Sequence, residues 1–226
     1  MQARLANQTD LAGFRSEAGS LLAHQVPPEA VQWETEPAQN ADHFADPGAA
    51  AAARPRGVPK AAMAIVPASF LRLCEVVVLH HDPQRFSLLY RLLWRLVHEP
   101  GLRHDPVDAD MLLAQQMAQS VRRDMHKMKA FLKFRAVADE QRPGEPLQLA
   151  WYEPSHHILE AVAPWFAKRH AQSRWAIITP ERSVEWDGRQ LHFASGARLA
   201  GPPPVDGSDA LWLAWHRAVF DRPRRD

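Results

Sequence analysis

Cysteine is almost missing from these 226 residues. Cys74 stands alone, so this chain by itself can build no intrachain disulfide and no multi-cysteine zinc or iron–sulfur site. A reducing cytoplasm is the expected setting. Long hydrophobic runs are missing too: none approaches the roughly 20 apolar residues that cross a bilayer. MQARLANQTD at the start lacks the basic-then-apolar order of a signal peptide. A soluble protein with no membrane partner is expected. Nor is there an excess of one charge: the net charge is +1 and the pI about 8.1, so any contact with nucleic acid must come from local clustering. Glycine is sparse, 10 residues against 19 prolines, which implies stiff connections and at least one linker. Several loops and motifs are absent: Gly-x-Gly-x-x-Gly, Gly-x-x-x-x-Gly-Lys-Ser/Thr, His-Glu-x-x-His and Gly-x-Ser-x-Gly. This argues against ordinary dinucleotide and P-loop binding, and no cofactor or metal is expected. No repeat period of about 20–50 residues is visible, which disfavours a solenoid or propeller.

What is there reads as helices first and a small sheet later. Asp10 is placed to cap a helix over Leu11–His24, where Phe14, Ala18, Leu21 and Leu22 recur at helical spacing. Val26-Pro27-Pro28 ends it, and Ala30–Glu34 around Trp33 reads as a short extended segment. From 35 to 65 the chain is rich in Ala and Pro without an apolar period, as in a linker. A helix from Pro67 carries Phe70, Leu71, Cys74, Val77 and Val78 to near His80. A second begins at Asp82-Pro83 and fills a broad apolar face with Phe86, Leu89, Tyr90, Leu93, Trp94 and Val97. A third starts at Asp105-Pro106 and keeps its pattern for about seven turns. After Arg142-Pro143-Gly144 the period changes to 2, predicting a strand around Leu147–Trp151 and then a helix over Ser155–His170. Strand candidates follow at Arg174–Thr179, Ser183–Trp186 and Gln190–Ala194, with Asp187-Gly188 a two-residue hairpin signal, and a last helix covers Ser208–Phe220. The fold class expected is α+β: a helical layer of three main helices, then a small antiparallel meander with flanking helices. The expected division is a small segment over 1–34, the linker over 35–65 and one domain over 66–226.

Val121–Arg135, VRRDMHKMKAFLKFR, is the stretch most suggestive of function. Read as a helix, it puts Val121, Met125, Met128 and Leu132 on a core stripe and Arg122, His126, Lys129 and Lys133 on an adjoining cationic ridge. With Arg123, Lys127 and Arg135 these are the candidate phosphate contacts, since long cations along one supported ridge can follow a phosphate backbone. An amphipathic helix whose cations only face water is the plainer alternative.

Twelve histidines invite metal or acid–base readings. Adjacent histidines on a helix point about 100° apart and rarely share one metal. His80-His81-Asp82 reads as a helix end, where His suits the negative pole. His156 and His157 are placed in a first helical turn and nominated for a pocket. Cys74 on an apolar face reads as an inert core thiol. Trp151, Tyr152, Trp165, Trp175 and Trp186 are read first as core, with stacking on unpaired bases the alternative.

Several ordered stretches resemble a bacterial family of uncharacterised domains assigned to DNA repair or DNA metabolism, often fused to a uracil-DNA glycosylase domain and linked to a radical-SAM protein. They are His81-Asp82-Pro83 with Phe86, LLYRLLWRL at Leu88–Leu96, VRRDMHKMKAFLKFR, Glu153-Pro154-Ser155-His156-His157-Ile158, and WAIITPERSVEWDGRQLHF at Trp175–Phe193. The resemblance spans about Val66 to Phe220, and the segment Asp10–Phe44 also looks like the front of that family. Its members generally continue past the last helix into a Met-Pro-x-x-Tyr-Trp type segment, so the resemblance implies a chain truncated at its end. The Gly-Glu-x-Pro-Gly and His-Pro-Ser motifs of the related glycosylases do not occur, so glycosylase activity is not implied.

The expectation is a DNA-binding or DNA-processing accessory domain in DNA repair, with DNA and a uracil-DNA glycosylase domain as partners. The alternatives are a partner- or metal-dependent repair enzyme, or a docking module for a radical-SAM protein. No catalytic residue is assigned from the sequence.

Overall fold

The computed structural model describes residues 1–36, 66–139, 144–197 and 201–220. The chain forms two compact units, Met1–Arg123 and Asp124–Asp226. No helix among the described residues is long and apolar enough to cross a membrane.

In the first unit, β1 (Gln2–Leu5) pairs in parallel with β2 (Gln32–Thr35), and α1 (Leu11–Ala23) forms the crossover between them. Asp10 caps α1 as the sequence suggests, its carboxylate accepting from Gly13 N–H at 2.8 Å and from Ala6 N–H at 3.0 Å. Then come α2 (Ala68–Val77), α3 (Arg85–His98) and α4 (Ala109–Phe131), the last beginning in this unit. Residues of β1, α1, α2 and α3 share one apolar core. Phe14, Trp33, Phe86 and Tyr90 pack ring against ring in it, at centroid separations of 5.0–6.1 Å. Arg85 is 1% exposed and belongs to this core. Its guanidinium donates to the carbonyls of Val78, Asp82 and Gln8, so the buried charge ties three chain segments together. Cys74 is buried, and burial pushes its thiol up to about 12, in keeping with an inert core role. The expected linker falls outside the described residues except for Thr35 and Glu36.

In the second unit, five strands run in the order β3 (Arg135–Val137), β4 (Leu147–Trp151), β5 (Trp175–Ile178), β6 (Arg182–Trp186) and β7 (Leu191–Ser195). The meander β5-β6-β7 is antiparallel as expected, whereas β4 and β5 are parallel, joined by α5 (Leu159–Arg169). The turn after Asp187 is a four-residue connection, not a two-residue one. Asp187 Oδ1 accepts from the N–H groups of Arg189 and Gln190, and Gly188 takes a φ of 98°. One sheet face, with Leu147, Leu149, Ala176 and Ile178, packs on α6 (Asp209–Phe220) through Trp212, Leu213, Trp215 and Val219. The opposite face carries Trp175, which meets Phe166 of α5 at 6.2 Å. The α+β class is thus observed, with a parallel pair inside it.

Local signals were overridden at three element ends. Asp105-Pro106 does not start α4: Asp105 accepts from Val107 N–H and closes a turn, while Asp108 accepts from Met111 N–H and caps the helix. The helix ends at Phe131, because Arg135–Val137 joins the sheet with Val137 opposite Leu147. Finally, α5 starts at Leu159, four residues later than the apolar pattern suggests.

Candidate functional site

The second unit's share of α4 has a divided surface. Asp124 and Met128 are buried and Met125 is half-buried, while His126 and Lys127 are exposed and Lys129 is half-buried. Exposed Lys133 lies just past the helix end, so the expected ridge is not one continuous helix face. Arg122 and Arg123 are exposed at the end of the first unit. The lone carboxylate between Arg122 and Arg135 is Asp124, and it turns inward. None of Arg122, Arg123, His126, Lys127, Lys129 and Lys133 forms an ion pair among the described residues.

Arg135 does not belong with them. Its guanidinium is held by the carbonyls of Val205 and Gly207, by Asp209 at 3.1 Å, and over the Trp212 ring at 5.3 Å. It anchors the approach to α6, and strand β3 carries it off the helix. Among the candidate phosphate contacts it is the one whose charge already meets a carboxylate among the described residues.

His156 and His157 are not in a first helical turn as expected. They lie in the turn between β4 and α5, which Asp124 organises: its Oδ2 accepts from the buried His156 N–H at 2.9 Å. Burial pushes the Asp124 carboxyl above its usual range, against the pull of the His156 and Ser155 N–H groups and the Lys127 charge. His157 Nδ1 lies 2.8 Å from Glu181 Oε2, in the loop after β5. The two histidines therefore do different things: His156 is packed and backbone-anchored, whereas His157 is held by a carboxylate at one nitrogen.

Both loops follow the carboxyl ends of the parallel pair β4 and β5, the place where open parallel sheets collect functional side chains. The second loop is clamped: Gly196 N–H donates to Glu181 O and Ala197 N–H to Thr179 O, each at 3.0 Å. A Cβ on Gly196 would lie 2.3 Å from Pro180 O and Glu181 C, so only glycine fits. An imidazole whose Nδ1 faces a carboxylate has a defined tautomer and leaves Nε2 for proton transfer or ligation.

The aromatics divide by burial. Trp175 is fully buried, Trp151 donates to Glu153 and Trp186 to the Ala171 carbonyl, which suits packing roles. Burial first, and then the charge of Asp124, push the Tyr152 hydroxyl up. Trp165 is different, at 39% exposure with Lys129 Nζ 5.7 Å from its ring centroid.

Sequence reasoning missed Asp124, Glu181 and Gly196. The one available signal was Asp124 itself, an acid on the apolar stripe of Val121 and Met128, where an unpartnered charge would be costly. A profile of a domain family described only as a domain of unknown function, DUF4130, matches residues 83–225. No curated protein and no solved structure matches the chain.

Proposed function

This chain belongs to the DUF4130 family, whose function is unknown, and we propose that it is a DNA-binding accessory domain of DNA repair. One observation carries the reading. On Asp124–Phe131 and the residue pair beyond it, the exposed or half-exposed charges are those of Lys127, Lys129 and Lys133, with His126 exposed among them, and the only acid is turned into the core. Lysines without an ion pair among the described residues, on the end of α4 and just past it, give phosphate a favourable local field even though the net charge is +1. The repair setting and a uracil-DNA glycosylase or radical-SAM partner rest on the resemblance of the ordered stretches alone.

The test is binding of single-stranded and of duplex DNA across a salt series. Each phosphate contact contributes about 0.7 on a single strand and about 0.9 on a duplex to the slope of log affinity against log salt. Changing Lys127, Lys129 and Lys133 together to Ala should therefore weaken binding at low salt and lower the slope by about 2 to 3. No binding at low salt, or an unchanged slope in the triple variant, would falsify the reading.

A further inference from the structure

We propose that Trp165 is a stacking platform for an unpaired base, so that the nucleic acid held at this face is single-stranded. The inference rests on the reading of the cations as phosphate contacts and names the substrate class. Three other cation–aromatic pairs show what sets this one apart. Arg85 over Phe86 is buried and bonded to carbonyls. Arg135 over Trp212 is tied to Asp209. Arg182 over the exposed Phe193 is neutralised by Glu160 at 2.9 Å. Lys129 over Trp165 has no carboxylate partner among the described residues, and the indole beside it is exposed.

The surroundings of Trp165 add to the same charge. One turn along α5 from it stand Lys168 and Arg169, at i+3 and i+4, where side chains are neighbours, and both are exposed. Beneath, the ring is braced edge-on by Phe166 at 5.0 Å and 85°, and Phe166 packs on Trp175 in the sheet core. The indole is thus supported by Phe166, 39% exposed, and flanked by Lys129 over its ring and by Lys168 and Arg169 one turn along the helix. A duplex keeps its base faces stacked inside and offers such a ring only backbone, whereas an unpaired strand offers a π-face with a phosphate on either side. In the bound state a base lies on the indole, and Lys129, Lys168 and Arg169 meet the flanking phosphates.

The experiment compares a fluorescent oligo-dT of about a dozen nucleotides with a duplex of equal phosphate number, using the full chain and far-UV circular dichroism as the folding check. Trp165→Ala should weaken oligo-dT binding by about 5- to 150-fold, the range for one stacked base, while duplex binding stays within about twofold. Trp165→Leu keeps apolar bulk over Phe166 without an extended π-face and should lose as much, and Trp165→Phe should recover part. Equal losses on both ligands, or no loss on oligo-dT in the folded variants, overturn the stacking role while leaving the cationic reading intact. Absence of binding to either ligand by the unaltered chain overturns both.

Discussion

Asp124 is the residue on which the local structure of the β4–α5 turn depends. Its carboxylate accepts backbone N–H groups that would otherwise be buried without partners, and burial holds its pKa above the ordinary value of 3.8. A carboxyl raised in the folded state binds more protons there than in the unfolded chain. Its contribution to stability therefore falls as pH rises from near 3.8 through the folded value, and ionisation at neutral pH opposes folding. Asp124→Ala removes the acceptor and should destabilise by about 1–3 kcal/mol. Asp124→Asn keeps an acceptor oxygen without the charge, so it should cost far less at pH 7 and should flatten that pH dependence. Urea unfolding of the three proteins from pH 4 to pH 8 checks both statements. Equal destabilisation by Asn and Ala would show that the charge, not the acceptor, is what the turn requires.

Among the elements, β7 bears on the candidate site through the backbone just past its end. Gly196 and Ala197 hold the Thr179–Glu181 loop by backbone bonds, and that loop brings Glu181 to His157. Gly196→Ala forces a methyl against Pro180 and Glu181 backbone, where no flexible side chain can give way. The expected outcome is destabilisation of about 1–3 kcal/mol, the usual range for overpacking. The imidazole NMR signals of His157 should shift as Glu181 moves off, while those of His192, paired with Asp187 at 2.8 Å, should stay in place. Unmoved His157 signals would mean that the loop does not depend on the clamp.

At the scale of the molecule, the described residues separate the buried side chains that hold each unit together from the exposed cations proposed to meet phosphate. Leu89 in the first unit and Leu149 in the second are fully buried. Changing either to Ala should cost about 2–5 kcal/mol by urea unfolding. Lys127→Ala and Lys133→Ala, on exposed cations without ion-pair partners among the described residues, should each stay within about 0.5 kcal/mol of the unaltered chain. Large losses from those lysines would mean that they brace the fold, and the phosphate reading would lose its basis. The net charge of +1 hides this division, since the acids are placed elsewhere: Asp108 and Asp110 hold Arg95, and Glu160 holds Arg182.

Sequence alone determined the elements whose signals are local. The core stripes of α1, α2 and α3, the cap at Asp10, the strand alternation of Leu147–Trp151 and the turn at Asp187-Gly188 all follow from spacing and from residues a few positions apart. The exposure of Lys127 was likewise legible, because charge on the outer side of an amphipathic helix shows in its period. Tertiary structure decided what depends on residues far apart in the chain. Asp124 reaches His156 across 32 positions and so delays the start of α5. Val137 pairs with Leu147 and so ends α4 at Phe131. Arg135 left the cationic set, and Lys129 found Trp165, for the same reason: sheet pairing and helix packing choose among side-chain positions that local periodicity leaves equivalent.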